Sequence, residues 1–121
     1  MTRKRIDSHS TEFGLWLREQ KEIDSSLGFV ATNIDYIWHN YRTGHWMLIE
    51  EKRHNSQLTY SQLGVFKIID AACRQDLNYG GLHIIRFEQT SPDDGRIYLD
   101  GLEITAKQLI SFLRLEFDKV I

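Results

Sequence analysis

Apolar residues change their spacing several times along the chain, and each change marks a boundary. From Thr11 the run T-E-F-G-L-W-L-R-E-Q-K-E-I sets Phe13, Trp16, Leu17 and Ile23 at helical intervals behind Ser10 as N-cap, and it stops near D-S-S-L-G with Gly28 as the breaker. A strand-like pattern follows. Phe29 to Ala31 is read as a short strand, and Ile34, Tyr36, Ile37, Trp38 and Tyr41 as strand formers ahead of R-T-G and H-W-M-L-I-E-E-K-R. Arg42-Thr43-Gly44 suits a three-residue hairpin turn with Gly44 left-handed. After His54 the helical period returns, with Leu58, Leu63, Phe66, Ile68 or Ile69, and Cys73 on one face.

Asn78-Tyr79-Gly80-Gly81 breaks that second helix. L-H-I-I-R-F-E then reads as a strand, S-P-D-D-G-R as a turn around the only proline, Pro92, and I-Y-L-D as another short strand. Thr105 is a candidate cap for a final amphipathic helix carrying Leu109, Phe112, Leu113 and Leu115 or Glu116. The order α-β-β-β-α-β-(β)-α gives an α/β architecture with helices flanking a central mixed sheet. With no repeat, linker or low-complexity segment, residues 1–121 are expected to form a single domain.

Composition narrows the classes. At 41% hydrophobic and 26% charged residues the chain has an ordinary globular balance. The lone Cys73 excludes an internal disulfide and a cysteine-rich zinc module, and fits a reducing compartment. No stretch reaches the length of a membrane span, and M-T-R-K-R-I-D lacks a secretory signal, so a cytoplasmic protein is expected. A net charge of −2 and a pI of about 6.2 argue against a protein that coats nucleic acid through many phosphate contacts. An acidic metal site beside local basic patches remains compatible, and Arg3-Lys4-Arg5 and Lys52-Arg53-His54 are two such patches.

The hairpin carries the candidate chemistry. Residues i and i+2 of a strand share a face, so Glu50 and Lys52 point one way and Glu51 the other. Counting back from the turn sets Asp35 opposite Glu50 or Glu51, close enough for Asp35, Glu50 and Lys52 to converge. Adjacent carboxylates repel unless a cation lies between them. Two carboxylates and the backbone carbonyl of Glu51 are a typical share for Mg²⁺, with Mn²⁺ as substitute, and a neighbouring lysine suits work on water or phosphate.

Asp35, fourteen intervening residues and Glu50-Glu51-Lys52, set within this order of elements, resemble the PD-(D/E)xK nuclease superfamily, which includes restriction enzymes, archaeal Holliday-junction resolvases and phage nucleases. The resemblance implies a restriction-endonuclease-like αβββαβ core and a metal-dependent endonuclease acting on DNA, with RNA the less favoured substrate. Structure-selective cleavage of junctions or flaps, as a homodimer, would fit that family. It also implies an acid on the first helix, Glu12 or alternatively Glu19, and a glutamine on the helix after the motif, Gln62 or the less favoured Gln57. Ile34 stands where the family motif has proline. The apolar C-terminus, with Phe117, Val120 and Ile121, is a candidate dimer surface.

The competing function is a catalytically inactive nuclease-fold DNA-binding or assembly module, which would be expected to have lost one of Asp35, Glu50 and Lys52. Zinc finds little support, since His39 and His45 lack a CxxC or HExxH partner pattern. Ser8, His9 and Ser10 lack a nucleophile elbow, and Gly80-Gly81 precedes a strand instead of the helix a phosphate loop needs. Trp16, Trp38 and Trp46 are read as core or interface aromatics.

Overall fold

The structure is a computed structural model that describes residues 11–116. Its chain divides into two compact units, Met1–Ala31 and Thr32–Ile121. In the first, α1 spans Glu12–Arg18 and two short 3₁₀ turns follow at Lys21–Ile23 and Ser25–Leu27. Thr11 is the N-cap, its hydroxyl accepting from the Gly14 amide at 3.0 Å. The expected cap, Ser10, lies outside the described residues, as do Ser8, His9 and the Arg3-Lys4-Arg5 patch. The helix is shorter than its apolar period suggests, and Leu15 is its buried residue. Phe13 and Trp16 are mainly exposed and stack on each other, ring centroids 6.1 Å apart.

In the second unit five strands form one sheet in the order β1-β2-β3-β4-β5: β1 Tyr36–His39, β2 Trp46–Arg53, β3 Tyr79–Phe87, β4 Ile97–Leu99 and β5 Leu102–Ile104. Helix α2, Tyr60–Cys73, joins β2 to β3, and α3, Ala106–Leu113, follows β5. Only β2 and β3 run parallel; the other neighbouring pairs are antiparallel. That pattern follows from the connections, because a helix-length crossover is needed for parallel neighbours whereas tight turns reverse the chain. The sheet is therefore mixed and the unit α/β, as the pattern of elements implied.

Three elements differ from expectation. Phe29–Ala31 forms no strand: Phe29 and Val30 are exposed, so their β propensity gains neither burial nor a ladder partner. Strand β3 begins at Tyr79, and Gly80-Gly81 falls at a register irregularity within it rather than in a turn ahead of it. Strand β5 is an addition. It pairs with β4 through a two-residue turn, Asp100-Gly101, both with positive φ (50° and 89°). The order among the described residues is thus αββαβββα, with one strand fewer before α2 and more after it than αβββαβ supposes.

Alternation along β2 divides the sheet's two faces. Met47 and Ile49 join Ile85, Phe87, Ile97, Leu109 and Leu115 in the core against α3. Leu48, Glu50 and Lys52 point the other way. Thr105 caps α3 through a reciprocal pair with Gln108, but the helix ends at Leu113, earlier than its apolar period. Leu115 then turns left-handed, φ 56°, and buries its side chain, while Glu116 is exposed. Trp38 Nε1 donates to the Leu113 carbonyl at 2.6 Å, tying β1 to that end. Trp46 packs on Tyr79, centroids 4.8 Å apart, and is half-buried. In α2, Phe66 is the buried residue; Leu63 and Ile68 are exposed, and Leu58 precedes the helix.

Met47 is 1% exposed, the most enclosed side chain of this core. Met47→Ala should lower unfolding stability by about 2–5 kcal/mol in urea titration, because the cavity adds to the lost burial. Ile37→Ala, at a site 71% exposed, should stay within about 0.5 kcal/mol of the parent.

Candidate functional site

The hairpin register decides what meets at the end of β2. His39 pairs with Trp46 and Tyr36 with Ile49, so continuing one step sets Asp35 beside Glu50. The turn is one residue longer than expected: the Asn40 amide donates to the His45 carbonyl, and Gly44, φ 83°, closes it through the Asn40 carbonyl at 2.8 Å. Beyond Tyr36 side chains replace the backbone ladder. The Glu51 amide donates to Asp35 Oδ2 at 2.8 Å, and the Asp35 amide donates to Glu50 Oε1 at 3.3 Å. Each acid is thereby fixed by the other's strand.

Glu50 is 4% exposed, the one buried charged residue among those described. Lys52 Nζ lies 3.4 Å from its Oε2, and Gln62 Nε2 donates to the same oxygen at 3.4 Å. Gln62 is held from both ends. It occupies the third position of α2, where its amide donates to Thr59 Oγ1 and its Oε1 accepts from the Thr59 amide, a reciprocal cap. The same Oε1 accepts from Lys52 Nζ at 3.3 Å. Two donors at the amide oxygen and a carboxylate at the nitrogen leave one sensible orientation for this group.

Glu51 faces away from Glu50. Its carboxylate accepts from the Tyr36 hydroxyl at 3.2 Å and from Arg53 Nε at 2.8 Å. The charge of Glu51 holds the Tyr36 hydroxyl above its ordinary pKa, so that proton stays on. Arg53 is paired with Glu51 and does not stand alone as part of a basic patch. A groove of about 410 Å³ opens here, lined by Asp35, Tyr36, Glu51, Lys52, Arg53 and Ser56.

Of the residues singled out from sequence, Asp35, Glu50, Lys52 and Gln62 come together. Gln57 does not join them; its amide donates to the Asn55 carbonyl and its side chain lines a second groove. Glu12 opens α1 and Glu19 is that helix's C-cap; both belong to the first unit, whereas the site is built within the second. His45 turns Nδ1 to the Leu115 carbonyl at 3.1 Å. The roles of Tyr36 and Ser56 were not read from sequence, although alternation from Asp35 would have aimed Tyr36 at the face of Glu51.

Burial, and after it the charge of Asp35, raise the Glu50 carboxyl above the usual range, against the Asp35 amide and Lys52, which favour the anion. Three donors reach a group with about four lone-pair sites, and all three contacts are long, 3.3–3.4 Å. A hard cation with oxygen ligands fits that donor set: Asp35, Glu50 and the Glu51 carbonyl. Among the described residues no three His, Cys, Asp or Glu side chains group as a metal-ligand set; at this position two carboxylates, Asp35 and Glu50, come together. No protein-family model matches the chain, and no curated protein or solved structure matches it.

A raised carboxyl pKa means the folded state holds a proton the unfolded state releases, so stability falls as pH climbs from about 4.3, the unfolded value, through the raised one. Asp35→Asn keeps an acceptor for the Glu51 amide but removes the repelling charge. In chelator its melting temperature should exceed the parent's at pH 8, by roughly 4–8 °C for each kcal/mol recovered, and converge with it near pH 4. Melting curves at the two pH values measure this.

Proposed function

We propose that the chain is a Mg²⁺-dependent endonuclease that hydrolyses phosphodiester bonds in DNA, with Mn²⁺ as a substitute ion and a PD-(D/E)xK-like site. The observation that carries the reading is the convergence of Asp35, Glu50, Lys52 and Gln62 where β2 ends, with Glu50 buried and its pKa raised. A solvated strand end would neither bury an acid nor cage it with a lysine and a glutamine.

In this reading Asp35, Glu50 and the Glu51 carbonyl hold the ion, which supplies Lewis acidity toward the phosphoryl oxygens. Gln62 keeps Glu50 and Lys52 in place from a helix cap, so the arrangement is set by α2 and not by a loop. Lys52, whose side chain is 13% exposed, is among the residues lining the groove that would take the phosphate, where its ammonium group would orient the attacking water, assist its proton transfer or offset charge on the phosphate. Asp35 and Glu51 line the same groove. Ile34 in the proline position leaves these contacts intact, since the Asp35 carboxylate and amide make them.

A Glu12 or Glu19 carboxylate is the further acid the family resemblance suggests. A homodimer, cleaving two strands at junctions or flaps, extends the reading; the residues first suggested for its interface, Phe117, Val120 and Ile121, lie outside those described. No helix among the described residues is long and apolar enough to cross a membrane.

The test is cleavage of labelled linear, single-stranded, flapped and four-way-junction DNA with Mg²⁺, Mn²⁺ or EDTA. Lys52→Met should bind Mn²⁺ and DNA like the parent yet cleave about 10²–10⁴-fold more slowly in single turnover. Lys52→Arg should not rescue fully, because a guanidinium keeps its protons and has another shape. Wild-type rates in Lys52→Met, or a larger loss in Glu51→Gln, would defeat the proposal.

A further inference from the structure

A second groove, of about 700 Å³, lies on the Lys52 face of the sheet, and its lining includes Leu58, Leu63, Ile84, Arg86, Tyr98 and Asp100. Its floor is set by register. Lys52 on β2 pairs with Arg86 on β3, and Arg86 pairs with Tyr98 on β4, so the three share one transverse row and one face. At about 4.8 Å per strand the row runs roughly 10 Å from Lys52 to Tyr98. It presents a cation, a second cation and then an aromatic ring.

Each part of the row is supported. Arg86 Nη1 donates to the carbonyls of His54 and Ser56, which fixes the guanidinium and pins the loop between the two grooves. A guanidinium has five N–H donors, so those bonds leave capacity for a phosphate. Leu58, Leu63 and Ile84 add apolar surface to the lining that Tyr98 shares. Asp100, also in the lining, is held by His83 Nδ1 at 2.6 Å and the Ile84 amide at 2.8 Å.

We infer that this groove receives an unpaired nucleotide of a DNA strand, its phosphate on Arg86 and its base stacked on Tyr98 between Leu58 and Leu63, in line with the phosphate held at Lys52. The inference rests on the phosphodiesterase reading for the direction of the strand but not for the pocket itself. The occupant follows from charge and shape. The Arg86 guanidinium, next to Lys52 in the row, can take a phosphate, Tyr98 with Leu58, Leu63 and Ile84 gives an aromatic and apolar lining for a base, and a volume in the range of small-ligand sites holds one nucleotide, not a stretch of duplex. An already unpaired base enters without the cost of unstacking a helix. The site would then favour DNA with a single-stranded portion beside the scissile bond.

Fluorescence anisotropy in EDTA, where no cleavage occurs, tests this without the metal. The probes are a short single-stranded DNA, the same strand carrying abasic positions, and single-stranded RNA of the same sequence. Tyr98→Leu keeps apolar bulk and should weaken binding of the intact DNA strand about tenfold, in line with the loss of one stacked base. Abasic substitution should cost the wild type a similar factor and cost Tyr98→Leu little further, because both remove the same contact. Leu63→Glu, on an exposed helix position, should reproduce the loss. Wild-type affinity in Tyr98→Leu, losses that multiply in full, no binding of single-stranded DNA, or tighter binding of the RNA would each overturn the inference. Failure of the nuclease reading is a separate result: a coupled Tyr98 effect with no cleavage of any DNA upholds this groove and defeats that reading. Cleavage without the coupling does the reverse.

Discussion

A carboxylate with almost no exposed surface has to be held by partners, and Glu50 makes that demand in the middle of the sheet. Its neighbours supply what a fold without a site would have avoided by using an apolar residue there. The Asp35 amide comes from the lead into β1, the lysine from two residues further along β2, and the glutamine from the first turn of α2. Three segments are committed to one side chain. The result is compact but unsettled electrically, since Asp35 is fixed near Glu50 by the Glu51 amide and raises its pKa. A cation between the two would remove the conflict that the protein alone leaves.

The parallel pairing of β2 and β3 is what lets one helix serve that carboxylate. Because α2 starts just after β2 and must cross back to start β3, its first turn lies over the end of β2, where the Thr59–Gln62 cap aims the glutamine at Glu50. Capping and site share one amide group: its oxygen serves the Thr59 amide and Lys52, its nitrogen serves Glu50. The same pairing sets Arg86 beside Lys52 and extends the cationic row toward Tyr98. Helix formation, sheet register and the electrostatics of the groove are thus parts of one arrangement.

Much of this could be read from residue order. The left-handed Gly44, the alternation in W-M-L-I-E-E-K-R and the Thr105 cap are local signals, and local geometry obeyed them, although the turn takes four residues and not three. Asp35 beside Glu50 followed from counting back along a hairpin, with only the exact partner left open. The misses have separate causes. Phe29–Ala31 had strand propensity but no partner and no burial, and propensity alone does not make a strand. Asp100-Gly101 is a strong two-residue hairpin signal, but the strands on either side have only three residues each, too few for alternation to mark them. Arg86 could not be found by pattern, because the register between parallel strands is set by the crossover helix and by an irregularity near Gly80-Gly81. Leu15 in place of Phe13 and Trp16 as the buried residue of α1 reflects packing, which the short apolar run did not determine.

The central claim is that Asp35 and Glu50 are paired to hold a hard divalent cation. Calorimetric titration with Mn²⁺ tests it without any nucleic acid. The account predicts binding by the wild type and by Glu51→Gln, whose backbone carbonyl is unchanged, and a loss in Asp35→Asn that exceeds the roughly 10–100-fold expected when only a supporting contact is removed. Equal affinity in the wild type and Asp35→Asn would contradict it.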